Sequence, residues 1–164
     1  MKTALIIGAS GQDGSFLTKF LTKKNYRLIC STRNLTKNKF VNHKILSIDN
    51  KNIEYVELDI LNSDNIINVV RKYCPDEIYN LSAQSSVSMS FEKPHETINS
   101  IINATLNLLE AIKYINPEIM FYSAGSSESF GDHGNDRIDE KSSFEPVSPY
   151  GIAKASASML VKSY

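Results

Sequence analysis

Glycines at positions 8, 11 and 14 stand between two segments of different periodicity. Before them, Lys2–Gly8 (KTALIIG) is a short apolar run of the kind that forms a strand buried on both faces. After them, Phe16, Leu17, Phe20 and Leu21 recur at helical spacing up to about Asn25. A buried strand that turns through glycine into a helix, with strand-like and helix-like segments alternating from there onward, is the pattern of a parallel sheet wrapped by helices. This opening therefore restricts the chain to alternating α/β architectures.

The rest of the sequence alternates accordingly. Tyr26–Arg33, Ile53–Asp59, Glu77–Ala83 and Glu118–Ala124 read as four further strands. The polar stretch Asn34 to Asn52 is expected to be a long loop with at most a short helical piece around Phe40–Ile45. Ser63 is expected to cap a helix with the stripe Ile66, Ile67, Val69, Val70 and Tyr73, followed by Pro75. Pro94 opens a long helix, 94–116, whose face is Ile98, Ile101, Ile102, Thr105, Leu108, Leu109 and Ile112. Ser148 and Pro149 cap and begin a last helix that reaches Tyr164. The pattern predicts an α/β fold with a Rossmann-type doubly wound parallel sheet, one domain spanning residues 1–164.

At 164 residues the chain has the length of one domain, and 41% apolar with 22% charged residues is ordinary globular usage. Basic and acidic residues balance at 18 each with no basic run, which argues against a nucleic-acid partner. The N-terminal apolar run is too short for a signal-peptide core or a membrane span, so a cytoplasmic protein with no membrane partner is expected. Cys30 and Cys74 are expected to be buried thiols in a reducing compartment. His43, His95 and His133 share no ligand spacing with them and read as isolated surface residues, so no metal site is expected.

In a strand–turn–helix context the three glycines permit a tight turn and close approach of a pyrophosphate to a helix N-terminus, a dinucleotide-binding arrangement. Strand two ends in Thr32 and Arg33 rather than in an acid, which favours NADP over NAD, since a 2′-phosphate calls for a cation. Tyr150 and Lys154 in YGIAK lie one turn apart on one helical face, where an ammonium favours phenolate and suits the phenol for use as a base. A serine-rich strand end at Gly125–Ser127 accompanies them.

In order and spacing, GASGQDGSFL from Gly8, DIL at 59–61, IYNLSAQSSV at 78–87, SAGSSESFG at 123–131 and SPYGIAK at 148–154 resemble the extended short-chain dehydrogenase/reductases, most of all the GDP-mannose 4,6-dehydratase family. The resemblance implies a catalytic set of Ser126, Glu128, Tyr150 and Lys154. Ser126 would bond the sugar 4-oxygen, and Tyr150 would take the 4-hydroxyl proton as hydride passes to NADP. Lys154 would lower the tyrosine pKa and hold the nicotinamide ribose, and Glu128 would remove the carbon-5 proton as water leaves carbon 6. For the cofactor it implies Gly8, Ser10, Gly11, Gln12, Asp13, Gly14, Arg33, Asp59, Ile60, Leu81, Ala83, Gln84, Ser85 and Lys154.

The implied partners are a nucleotide sugar, GDP-mannose, and a second copy of the chain paired through helices 94–116 and 149–164. NAD as cofactor, an epimerase or reductase of the same superfamily, and a non-catalytic NAD(P)-sensing regulator are the alternatives. The chain departs from the family pattern at Asn34, where a second arginine is usual and Lys37 or Lys39 could substitute, at Glu96, and at Ser129–Phe130. Members of the family are about twice this long, so the substrate lobe is expected to lie outside these residues, and the 164-residue chain alone is expected to show no turnover.

Overall fold

The computed structural model describes residues 1–35, 40–49, 51–132, 134 and 137–164; Lys37, Lys39 and His133 lie outside the described residues. The chain divides into two compact units, Met1–Ser82 with Glu110–Ala124, and Ala83–Leu109 with Gly125–Tyr164.

The first unit holds a five-stranded sheet of β1 (Thr3–Ile7), β2 (Arg27–Thr32), β3 (Ile53–Glu57), β4 (Glu77–Asn80) and β5 (Met120–Ser123). The order is β3-β2-β1-β4-β5 and each neighbouring pair is parallel. Thr3 pairs with Arg27 and Ile7 with Ser31 on one side, while Ala4 pairs with Glu77 and Ile7 with Asn80 on the other. Ala4 through Ile7 are buried, as a central parallel strand requires. The chain builds outward through β2 and β3, then crosses back over β1 to β4. The reversal leaves a crevice at the carboxyl ends of β1 and β4, where doubly wound sheets bind ligands.

The strands stop sooner than their composition suggests. Gly8 leaves β1 with φ +83°, removing the pairing partner of both neighbours. At β4 the Asn80 side chain then accepts from the Ser82 amide (3.3 Å) and hydroxyl (2.9 Å), folding the chain into a turn in place of the expected strand to Ala83.

The helix α1 (Gln12–Lys23) buries Gly14, Ser15, Thr18 and Leu21; of the expected stripe Leu21 is buried and Leu17 half-buried against the core, whereas Phe16 and Phe20 are 54% and 55% exposed. Small residues on that face let the helix lie close to the sheet. Their hydroxyls are satisfied at no cost in partners, Ser15 donating to Gly11 O (2.7 Å) and Thr18 to Gly14 O (2.7 Å).

A short helix α2 (Val41–Ile45) lies between β2 and β3, and α3 (Ser63–Tyr73) follows β3. Asn62, rather than Ser63, caps α3, accepting from Asn65 N at 3.0 Å. Cys30 is buried and its thiol is pushed up to about 12 by desolvation, but Cys74 is exposed at the left-handed C-cap of α3, contrary to the expectation of two buried thiols. At the amino end of the sheet, Glu77 accepts from Lys2 (2.8 Å), Tyr26 (3.2 Å) and Tyr79 (2.8 Å). Burial alone would raise its carboxyl, and the donors outweigh that and hold it below the usual value.

The second unit contains α4 (Val87–Glu92), α5 (Pro94–Ile98) and α7 (Pro149–Ser163), and α6 (Ala104–Ile115) runs from it into the first. The single helix expected over 94–116 contains a π turn at Asn99–Asn103. That turn shifts the helical phase, which leaves Ile98 39% exposed while Ile101, Leu108 and Leu109 stay buried. Ile101, Tyr150, Ala153 and Ala157 form a buried cluster flanked by Val87 and Ile102. Among the described residues no helix is long and apolar enough to cross a membrane.

Ser148 caps α7, its buried hydroxyl accepting from Gly151 N at 3.0 Å. Ser148→Ala is expected to destabilise the chain by about 1–2 kcal/mol, read as a lowered midpoint in urea unfolding.

Candidate active site

In the first unit, Gly8, Arg33, Asp59 and Leu81 each follow the carboxyl end of a strand, β1, β2, β3 and β4 respectively. The sheet is parallel, so these ends share one edge. At Gly8 a Cβ would lie 2.9 Å from Leu81 O, and at Gly14 one would lie 2.3 Å from Gly8 O. These glycines let β1, the turn and α1 close on one another. Gly11 is exposed as the N-cap of α1 and contributes no capping side chain to the first amides of the helix; Gln12 and Asp13 are exposed and Ser10 half-buried beside it. Arg33 is exposed. Asp59 is exposed with one oxygen accepting from Leu61 N (3.0 Å), and Ile60 beside it is buried.

The turn is braced from α2. Asn42 donates to Ser10 O (3.2 Å), and His43 Nε2 lies 2.8 Å from Ala9 O. A carbonyl only accepts, so Nε2 carries the proton, and Nδ1 of the neutral ring accepts from Tyr55 O–H at 3.1 Å. Burial pushes the imidazole below its ordinary pKa, opposed in part by the bond to Ala9. His43 is 3% exposed, which corrects the expectation of a surface histidine. No signal in the sequence marks it, because the bond depends on a fold contact between residues far apart in the chain.

In the second unit, the Glu128 backbone lies against the first turn of α7, which carries Tyr150, and Lys154 follows one turn on. Ser126 caps a one-turn 3₁₀ helix, Ser127–Ser129, accepting from Glu128 N at 3.3 Å. Gly151, next to Tyr150, lies so close to this turn that a Cβ there would stand 2.4 Å from Glu128 O. The backbone contact holds Glu128 beside the helix that carries Tyr150. Tyr150 is buried in the apolar cluster, and Lys154, half-buried one turn on, has its ammonium pushed below the usual lysine value by desolvation. Ser126 and Glu128 are half-buried. Ala83 and Ser85 are exposed, but the Gln84 amide is committed within its own unit, donating to Ser86 O (2.8 Å) and Thr97 Oγ1 (3.1 Å) and accepting from Ser86 N.

Residues 5–164 match the family described as GDP-mannose 4,6 dehydratase. The chain belongs to this family. The GDP-mannose 4,6-dehydratase of Vibrio cholerae is 37% identical over 169 residues, covering 99% of this chain and 45% of that protein. GDP-mannose 4,6 dehydratase 1 of Arabidopsis thaliana is 36% identical over 173 residues, covering 99% of this chain and 47% of its own. Among solved structures, the dTDP-glucose 4,6-dehydratase of Bacillus anthracis, in complex with NAD, superposes with a TM-score of 0.82 at 25% identity, covering 100% of this chain and 51% of that one. The chain spans about half the length of the curated relatives it matches. Like that solved dehydratase, it has the α/β short-chain dehydrogenase/reductase fold.

Proposed function

We propose that residues 1–164 are the NAD(P)-binding part of a cytoplasmic GDP-mannose 4,6-dehydratase, converting GDP-mannose to GDP-4-keto-6-deoxymannose and water. The observation that carries the reading is the packing of Gly151 on the Glu128 carbonyl, which brings the backbone of an acidic residue against the helix turn that carries Tyr150. An epimerase returns hydrogen to the carbon it left and needs no such acid, whereas a dehydratase must also move a proton from carbon 5 and protonate the hydroxyl leaving carbon 6.

The residues of the first unit fit a dinucleotide. The N-terminus of α1, without a capping side chain at Gly11, is suited to a pyrophosphate, and a side chain at Gly8 would collide with the backbone after β4 and one at Gly14 with the backbone of the turn itself. Gly8, Ser10, Gly11, Gln12, Asp13 and Gly14 would hold the phosphates, with Arg33, Asp59 and Ile60 near the adenosine end and Leu81, Ala83, Gln84 and Ser85 along the rest. When bound, the nicotinamide supplies reversible oxidation at carbon 4 of the sugar and reduction at carbon 6.

Tyr150 takes the proton of the sugar 4-hydroxyl as the 4-keto group forms, and that proton is given up to carbon 5 when hydride is delivered to carbon 6. Lys154 supports the charge that develops on the phenol oxygen and bonds the nicotinamide ribose. Ser126 bonds the sugar 4-oxygen. Glu128 takes the proton from carbon 5 and delivers it to the oxygen leaving carbon 6, so proton and hydroxyl leave together as water. A homo-oligomer formed through α5–α6 and α7 agrees with the exposure of Ile98, Ile152 and Met159 on those helices.

The test is product analysis of the full gene product with GDP-mannose and with a UDP-hexose. A 4-keto-6-deoxy product from GDP-mannose in D2O, deuterated at carbon 5, is expected; an epimer without loss of water would overturn the reading. A cation at the end of β2 selects the 2′-phosphate, so Arg33→Ala is expected to weaken NADP binding about tenfold or more and leave NAD affinity unchanged, measured by calorimetric titration.

A further inference from the structure

The two carbonyls at the centre of the glycine turn each receive a side-chain donor from α2. His43 donates to Ala9 O at 2.8 Å and Asn42 to Ser10 O at 3.2 Å. A third bond, Gly11 N to Gly8 O at 3.0 Å, closes the turn from the other side. A trans peptide directs its N–H opposite to its C=O, so fixing the Ala9 carbonyl towards α2 turns the Ser10 N–H away from it. The donors therefore set the direction in which the turn offers its amide.

His43 is itself held rigidly. It is 3% exposed, receives the Tyr55 hydroxyl on Nδ1 at 3.1 Å, and has the Phe40 ring at 4.9 Å and the Tyr55 ring at 5.7 Å. Phe40 and Tyr55 are in turn 4.3 Å apart. The group forms a chain of support running from β3 through the imidazole to the turn. A surface loop with a five-residue helix has no need of a buried histidine bonded to a carbonyl of the dinucleotide turn.

We infer that α2 is the positioning element of the dinucleotide-phosphate turn, with His43 and Asn42 as positioning residues that pre-orient its amides for a pyrophosphate. The inference rests on the proposed cofactor reading. An unsupported turn would have to be ordered by the ligand at the ligand's expense. The effect should therefore fall on ligands that carry the pyrophosphate and spare those that do not.

The experiment is a titration of NADP, ADP-ribose and adenosine against the chain and its His43→Phe, His43→Gln and Asn42→Ala variants. Phenylalanine keeps a ring among Phe40 and Tyr55 but cannot donate, whereas glutamine can donate to Ala9 O. His43→Phe is expected to weaken NADP and ADP-ribose about tenfold and leave adenosine unchanged, with glutamine restoring most of the loss. Asn42→Ala, at a half-buried site, removes only the Ser10 bond and is expected to weaken the same two ligands about threefold. If His43→Phe does not fold, the ligand dependence of Asn42→Ala decides. Equal losses for all three ligands, or unchanged ADP-ribose affinity, would overturn the inference while leaving the cofactor reading intact. Failure of the unsubstituted chain to bind NADP and NAD would overturn both.

Discussion

Tyr150→Phe in the full gene product is expected to lower kcat for GDP-mannose by about 10²–10⁴-fold, the range for losing a positioned acid–base group, with NADP affinity within about threefold of the original. The substitution removes one oxygen from a side chain whose ring is packed with Ile101, Ala153 and Ala157, so the apolar cluster and α7 should persist. Circular dichroism and the NADP titration check that, and steady-state product formation reads the chemistry. An equal fall in binding and turnover would assign Tyr150 to structure. The pH profile adds a second readout. Burial pushes the Lys154 ammonium below the ordinary lysine value, so if its charge is needed the alkaline fall in rate should begin below that value. Lys154→Met should abolish that limb along with most of the rate.

The parts of this fold that the sequence displays are those set by local chemistry. The run ending at Gly8, the alternation of strands and helices, and Ser148–Pro149 at the start of α7 each follow from propensity, glycine conformation or capping within a few residues. What it conceals depends on distant partners. The buried face of α1 is made by Gly14, Ser15, Thr18 and Leu21, three of them small, so the more hydrophobic but exposed Phe16 and Phe20 mislead. The helix α4 buries only Ser90 of its six residues and so carries no apolar period to find. A π turn cannot be read from the stripe it interrupts.

The candidate site divides in the same way. The glycine turn and the Tyr150–Lys154 pair stand out by spacing, while Ser126 and Glu128 are suggested only by family resemblance, since nothing local in a serine-rich loop marks one serine and one acid. His43 is hidden because its partner, Ala9 O, is a backbone atom with no sequence identity to recognise.

Gly14→Ala is expected to damage both the fold and the proposed cofactor turn. Its Cβ would sit 2.3 Å from Gly8 O and 2.7 Å from Ala9 Cα, and both are backbone atoms that cannot rotate aside as a side-chain end could. Relief requires α1 to move off the turn. Gly8 cannot yield, because its positive φ of +83° and its own approach to Leu81 O already fix it between β1 and β4. Overpacking of this kind costs about 3 kcal/mol or more when the surroundings are rigid. The urea midpoint should fall accordingly, and any folded fraction should bind NADP at least about tenfold more weakly, since the amides at the start of α1 move with the helix. Gly134→Ala serves as the control: its φ is also positive at +60°, but among the described residues no atom beyond its chain neighbours lies within 4 Å of the added methyl. Its cost should stay at the order of 1–2 kcal/mol that left-handed backbone imposes on a non-glycine residue, with NADP affinity unchanged. If the two variants lost stability and affinity alike, backbone strain alone would explain both, and the close packing of α1 on the glycine turn would not be what forms the cofactor cradle.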